Sequence, residues 1–150
     1  MMTSLVVTLV GPDRPGIVEA VSAQAVAHGA NWAESLMSNL AGQFAGILHL
    51  HVPEANAAHL EAALKALAGP GMQVSVARVG AVPDAKGRRM SLSLIGHDRP
   101  GIIQAISSAL ARQGVSIALL ETAIVSGAMS GEQLFDMQAQ LEVPPGVSPD

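Results

Sequence analysis

The sequence predicts an α+β protein built from two β-α-β-β-α-β units with antiparallel sheets, the second unit short of its last helix and strand. Three observations carry this. The stretch GPDRPGI at residues 11–17 returns as GHDRPGI at 96–102. At that offset of 85, residues Leu9, Gly11, Asp13, Arg14, Pro15, Gly16, Ile17, Ala20, Ser22 and Gly29 are identical in both copies, too many for chance in so short a window. Short runs of period two also alternate with longer runs of helical period throughout the chain.

In the first unit, LVVTLV (5–10) is a β-rich run that Gly11-Pro12 ends. Pro15 suits the first position of a helix, where its missing N–H costs nothing. Ile17, Val18, Val21 and Ala25 recur at helical spacing, and Gly29 stops that helix near residue 28. NWAESLMSNL (31–40) reads as a strand with Trp32, Leu36 and Leu40 on one face, shared with Glu34 and Ser38. A turn at Ala41-Gly42-Gln43 leads to a third strand, FAGILHLHV (44–52). Residues 53–67 form a second amphipathic helix with Leu60, Leu64 and Leu67 on one face, and MQVSVARV (72–79) alternates again.

The second unit repeats this as a strand at 90–95 and a helix from Pro100 to Arg112 with Ile103, Ile106 and Leu110 inward. Paired strands follow at 116–125 and 132–143. Ser148-Pro149-Asp150 has the form of a helix start, yet no helix follows. The counterpart of residues 54–79 is therefore missing, and its loss leaves apolar surface uncovered. The expected explanation is a chain cut short of its natural end, in preference to a partner chain that fills the gap. The domains are expected at 1–80 and 90–150, joined by an exposed linker at 81–89 that carries Lys86, Arg88 and Arg89.

Composition narrows the function. Hydrophobic residues make up 49% of the chain and charged ones 13%, with Trp32, Phe44 and Phe135 the whole aromatic set, so the core is aliphatic. A formal charge of −4 and one short basic cluster argue against direct contact with nucleic acid. The absence of cysteine excludes disulfides, thiolate nucleophiles and cysteine-bound metals. No apolar run approaches the ~18 residues of a membrane span. The N-terminus lacks the basic start of a signal peptide, so a cytoplasmic location is expected. No serine or acid sits in a nucleophile–base arrangement, and the reading is of a protein that is not an enzyme and needs no cofactor.

The residues Gly11-x-Asp13-Arg14-Pro15-Gly16-Ile17 and Gly96-x-Asp98-Arg99-Pro100-Gly101-Ile102, within this order of elements, resemble the ACT domain, a ferredoxin-like amino-acid-sensing module. Gly29-Ala30-Asn31 and Gly114-Val115-Ser116 extend the resemblance, which covers essentially the whole chain. Two such domains with nothing else are similar to the glycine cleavage system transcriptional repressor family. That resemblance implies a regulator that senses glycine or serine, forms a homo-oligomer and acts through a DNA-binding activator protein. The alternative is the regulatory part of a larger enzyme, such as a formyltetrahydrofolate deformylase or phosphoserine phosphatase.

The repeated corner has chemistry suited to a free amino acid. A helix N-terminus offers unpaired N–H groups and partial positive charge to a carboxylate. A neighbouring Asp suits the ammonium through charge-assisted hydrogen bonds. Gly16 and Gly101 leave room for a ligand or a second backbone. The resemblance implies that this loop meets the start of the second strand of a neighbouring domain, here Asn31 and Ser116. The candidate ligand-binding residues are therefore Asp13, Arg14, Gly16 and Asn31 in the first unit and Asp98, Arg99, Gly101 and Ser116 in the second. Asn31 both donates and accepts and reaches further than Ser116, which favours the first unit. The structural alternative is that Asp13 caps the helix, Arg14 is a solvated arginine, and Gly16 lets the helix sit close to the sheet.

His49 and His51 share one face of a strand, a pattern that suits a metal but lacks a third ligand; the expectation is a half-buried face and no metal. His97, which replaces Pro12, is expected to be an exposed loop histidine, and Trp32 a core or interface residue. The sheet face away from the helices reads as apolar in the first unit (Val6, Val10, Ala45, Ile47) and polar in the second (Ser91, Ser93, Asp136, Gln138, Gln140). The first unit's face is thus expected to be engaged with another domain or chain, leaving Ile47 less exposed than Gln138.

Overall fold

A computed structural model describes residues 1–69, 71–80, 87–126 and 131–147. The chain divides into two compact units, Met1–Val82 and Pro83–Asp150. The first contains β1 (Met2–Pro12), α1 (Ile17–Ala27), β2 (Asn31–Leu40), β3 (Gln43–Pro53), α2 (Glu54–Lys65) and β4 (Gln73–Val79). Its four strands form an antiparallel sheet in the order β2-β3-β1-β4. The second contains β5 (Arg88–His97), α3 (Ile102–Arg112), β6 (Ser116–Ser126) and β7 (Gln133–Val143), its strands ordered β5-β7-β6.

Alternation along the central strands places the core. Leu5, Val7 and Leu9 of β1 and Leu48, Leu50 and Val52 of β3 are buried on one face of the sheet. Ile17, Val21 and Ala25 of α1 and Ala57, Leu60 and Leu64 of α2 close over them, each set at helical spacing. Val18 lies off that stripe and is exposed, while Leu67 packs on the core from beyond the end of α2. At the rim, Arg78 donates to Glu61 at 2.5 Å and ties β4 to α2. Ala41 (φ +52°) and Gly42 (φ +82°) make the two-residue turn between β2 and β3, with the positive dihedrals that match strand twist in a tight hairpin.

The alternation expected along β2 fails at one point. A bulge between Trp32 and Glu34 shifts the register, so Trp32 lies opposite inward Leu50 while Leu36 lies opposite outward Ile47. Trp32 thus packs against the core, and Leu36 and Leu40 point away from the helices. A bulge adds one residue to one strand and inverts every side chain beyond it. The helices also start later than expected, at Ile17 and Ile102, so Pro15 and Pro100 precede the cap instead of opening the helix.

The second unit buries Met137, Ala139, Leu141 and Val143 of β7, with Ile103, Ile106 and Leu110 of α3 half-buried against them. On the helix side of this sheet Leu94, Leu120 and Ile124 remain exposed. Where β1 has β4 beside it, β5 has no strand among the described residues. Arg88 and Arg89, expected in the linker, belong to β5, and Arg89 is paired with Glu142 at 2.5 Å. The rest of the linker through Lys86, and Ser148-Pro149-Asp150, lie outside the described residues.

Duplicated positions now have unequal surroundings. A Cβ on Gly11 would lie 2.7 Å from the Gly71 carbonyl oxygen and 3.0 Å from Met72 Cα, whereas one on Gly96 meets nothing within 4 Å. Gly11→Ala is expected to destabilise by about 1–3 kcal/mol, as overpacking against backbone does. Gly96→Ala is expected to be neutral. Urea unfolding of both variants checks this, and equal effects would refute the difference in cover.

Candidate functional site

β1 ends at Pro12 and α1 begins at Ile17, so Asp13-Arg14-Pro15-Gly16 is the whole connection. Gly16 caps α1 with φ +91° and Gly101 caps α3 with φ +89°, a left-handed backbone that other residues adopt only with strain. A Cβ at either position would meet nothing within 4 Å. The dihedral, and not close packing against the sheet, therefore demands the glycine, and the space over it is open. The Gly16 carbonyl accepts from Ala20 N–H at 2.9 Å, and that of Gly101 from Ala105 N–H at 3.0 Å. No side chain caps either helix, so Asp13 is not the helix cap that one reading of the sequence allowed. The first-turn N–H groups keep their capacity to bind an anion.

Asp13 is held by the β2–β3 hairpin instead. Its N–H donates to the Gly42 carbonyl at 3.0 Å, and its Oδ2 accepts from Asn39 Nδ2 at 2.5 Å. Asp98 repeats the backbone bond, to Gln133 at 3.1 Å. The counterpart of Asn39 is Ile124, opposite Phe135 as Asn39 is opposite Phe44, so the side-chain bond has no equivalent. His97, exposed as expected, lies with Nδ1 3.2 Å from Glu132 Oε2. The two corners share a backbone and differ in polar surroundings.

A cavity of about 250 Å³ lies beside the first corner, with Arg14, Gly16, Leu9, Ile17, Met72 and Val74 among its walls. That is below the ~300–1,000 Å³ of drug-sized ligand sites and suits a molecule of amino-acid size. Met72 and Val74 come from the approach to β4 and from β4 itself, which have no counterpart among the described residues of the second unit. Arg14, Asp13, Arg99 and Asp98 are all exposed.

Asn31 and Ser116 stand elsewhere. Asn31 pairs with His51, and Pro12 beside the corner pairs with Gln43. Eight residues of β3 separate these levels, about 26 Å at ~3.3 Å per residue. Ser116 opposite Glu142 and His97 opposite Leu134 repeat the separation. Neither unit brings its own corner to its own Asn31 or Ser116. Any site containing both needs two domains. Asn39 is the site residue that sequence reasoning missed. A two-residue hairpin at 41–42 places it opposite Phe44, next to the end of β1, and that arithmetic was the available signal.

The rings of His49 and His51 lie 4.6 Å apart on the outward face, with His49 Nδ1 3.6 Å from Glu34 Oε1. His49 Nε2 is buried without a hydrogen-bond partner. Among the described residues no group of three or more His, Asp or Glu is placed to hold a metal, and no helix is long and apolar enough to cross a membrane.

An antiparallel sheet with helices on one face and this β-α-β-β-α-β order defines a ferredoxin-like domain, present here in full and again in part. The chain belongs to the ACT domain family, whose model matches residues 3–77 and 89–139; ACT domains are regulatory modules. A crystal structure of an "unknown protein" from Galdieria sulphuraria is similar over 96% of this chain and 84% of that one, at 32% identity and a TM-score of 0.78. That of a "putative glycine cleavage system transcriptional repressor" shares the fold over 99% of this chain and 84% of that one, at 19% identity and a TM-score of 0.69. No curated protein matches the chain.

The left-handed caps give a test of the corner. Gly16→Val is expected to cost about 1–2 kcal/mol, and Gly16→Asn less, because Asn tolerates this backbone. Chemical denaturation separates the two; equal stability of Val and Gly at position 16 would show that the corner relaxes.

Proposed function

We propose that this chain is a non-catalytic cytoplasmic regulator that senses a small amino acid, glycine foremost and serine next, and controls transcription through contact with a DNA-binding activator protein. The observation that carries the sensing role is the first corner: an uncapped helix start under the open Gly16, with a cavity of amino-acid size beside it. The N–H groups of α1 receive the ligand carboxylate, with Arg14 adding positive charge. Asp13, oriented by Asn39 through Oδ2, presents its remaining acceptor capacity to the ammonium. Asn31 of a neighbouring domain completes the site, because its own unit keeps it at the far end of the sheet. The second corner has the same backbone in Asp98, Arg99 and Gly101, with Ser116 as its strand residue, but among the described residues no counterpart of Asn39 or of the Met72–Val74 wall. It is the weaker of the two.

The transcriptional role rests on the tandem layout and on the fold shared with the repressor structure. Acidic net charge fits action through another protein and not through DNA itself.

Size limits the affinity. Glycine, at about −1.5 kcal/mol per heavy atom at best, reaches roughly −7.5 kcal/mol, a dissociation constant of a few micromolar or weaker. Isothermal titration is expected to give micromolar-to-millimolar binding of glycine or serine. Asp13→Ala is expected to weaken it roughly tenfold or more, the loss of one charge-assisted bond, and Asp98→Ala far less. Absence of heat for both amino acids at millimolar concentration would remove the sensing role.

A further inference from the structure

His49 Nε2 is the one buried side-chain nitrogen or oxygen among the described residues that has no hydrogen-bond partner. Buried polar groups in folded proteins are paired, and an orphan of this kind marks a place where an ion or a water completes the structure. The sequence offers His49 and His51 as a pair without a third ligand, and the strand register adds what the sequence does not show. The bulge between Trp32 and Glu34 turns Glu34 to the outward face, directly opposite His49, while Asn31 stands opposite His51.

The geometry of this cluster is that of a metal-binding histidine and its carboxylate. His49 Nδ1 lies 3.6 Å from Glu34 Oε1, and the Glu34 side chain, 81% exposed, can rotate to close that distance. A carboxylate at Nδ1 keeps the proton of the neutral imidazole on that nitrogen and leaves the Nε2 lone pair free. A histidine held in this tautomer by a carboxylate is the form that ligates transition metals. The His51 ring lies 4.6 Å from that of His49, centroid to centroid, with the planes 39° apart. Two imidazoles bound to one tetrahedral ion at ~2.1 Å have centroids about 5 Å apart. A small rotation of His51 therefore lets both rings reach one ion.

The second unit shows that the fold does not demand these residues. At the matching registers it has Gln140 for His49, Glu142 for His51 and Leu119 for Glu34. Further along the same face, Ile47 is 52% exposed and its counterpart Gln138 is exposed as well, so the expectation of a more covered Ile47 is not met in the single chain.

We propose that His49 and His51 bind a divalent transition-metal ion, zinc foremost, on the outward face of the first sheet, with Glu34 as the carboxylate that orients His49. Imidazole nitrogens suit zinc, copper and nickel, whereas magnesium and calcium take oxygen ligands. Among the described residues no group of three acids or histidines converges on an ion. Two positions of a tetrahedral shell thus stay open to water or to an incoming ligand. The expectation of no metal rested on the missing third ligand, whereas the tautomer that Glu34 selects and the unpartnered Nε2 are visible only in the fold.

Calorimetric titration of the full chain, carrying no histidine tag, with Zn2+ tests this. One ion is expected to bind per chain. His49→Gln, which copies Gln140 of the second unit, and His51→Ala are each expected to abolish binding with an unchanged circular dichroism spectrum. Glu34→Gln is expected to weaken it about 10–100-fold, as loss of an orienting carboxylate does. His59→Ala, at an exposed histidine of α2, is expected to leave it intact. Should a histidine variant lose its fold, NMR of the wild-type chain gives the same answer: zinc is expected to shift the imidazole nitrogen resonances of His49 and His51 and of no other histidine. Absence of binding at millimolar zinc overturns the proposal. Binding that survives in both histidine variants, or that Glu34→Gln leaves unchanged, overturns it too.

Discussion

The left-handed backbone at Gly16 is the constraint from which the first unit follows. Four residues separate the end of β1 from the start of α1, and the helix must return antiparallel across the sheet. With φ near +90° at Gly16 this short connection turns the chain back and lays Ile17, Val21 and Ala25 on Leu5, Val7 and Leu9. The same turn leaves the helix start without a side-chain cap. Structural need and binding capacity therefore arise from one feature, and repetition of the corner cannot by itself distinguish them. Its surroundings do: Asn39 and the wall from Met72 to Val74 stand at one corner, and the described residues place no counterpart of either at the other.

Duplication fixed the inside of the unit more firmly than the outside. Leu5, Val7 and Leu9 persist as Met90, Leu92 and Leu94, which keeps the helix side of each sheet apolar, although Leu94 stays 37% exposed in the second unit. Compensation maintains volume where identity is lost. Gly46 lies opposite Met37, so close that a Cβ would fall 2.6 Å from Met37 Cγ, and the same registers in the second unit hold Met137 and Thr122. Large and small have exchanged strands across one layer of the core, as close packing requires. The outer face has no such constraint and differs in part: Ser91, Glu121, Asp136 and Gln138 stand where the first unit has Val6, Leu36, Ala45 and Ile47, while Ile95 and Val125 match Val10 and Leu40 in kind.

Repeats, strands and helices were legible because period and turn chemistry repeat locally. Glycine after α1, alternation along β7 and the Leu60–Leu64 spacing each point to one answer. The errors came from single residues with non-local consequences. The bulge at Trp32–Glu34 has no local composition signal, yet it inverts Leu36 and Leu40 and so reverses which face of β2 is apolar. Pro15 is compatible with the first helical position, but the left-handed glycine after it moves the cap by two residues, from Arg14 to Gly16. Asn39 looked like a polar interruption in a strand, and became a partner of Asp13 only once the hairpin register was known. The unequal cover of Gly11 and Gly96 depends on β4, a long-range contact that no window around either glycine contains.

The position of Asn31 sets what the proposed site requires. It lies on the outer face of β2, opposite His51 and about 26 Å from its own corner by strand register. An amino-acid site that borrows Asn31 from a neighbouring domain therefore links ligand binding to the contact between domains. The two cannot then act independently: whichever free energy links them works equally in both directions. A ligand that recruits a domain to Asn31 tightens that contact as it binds, and a contact already made tightens the ligand, so the concentration of an amino acid is converted into a change of assembly.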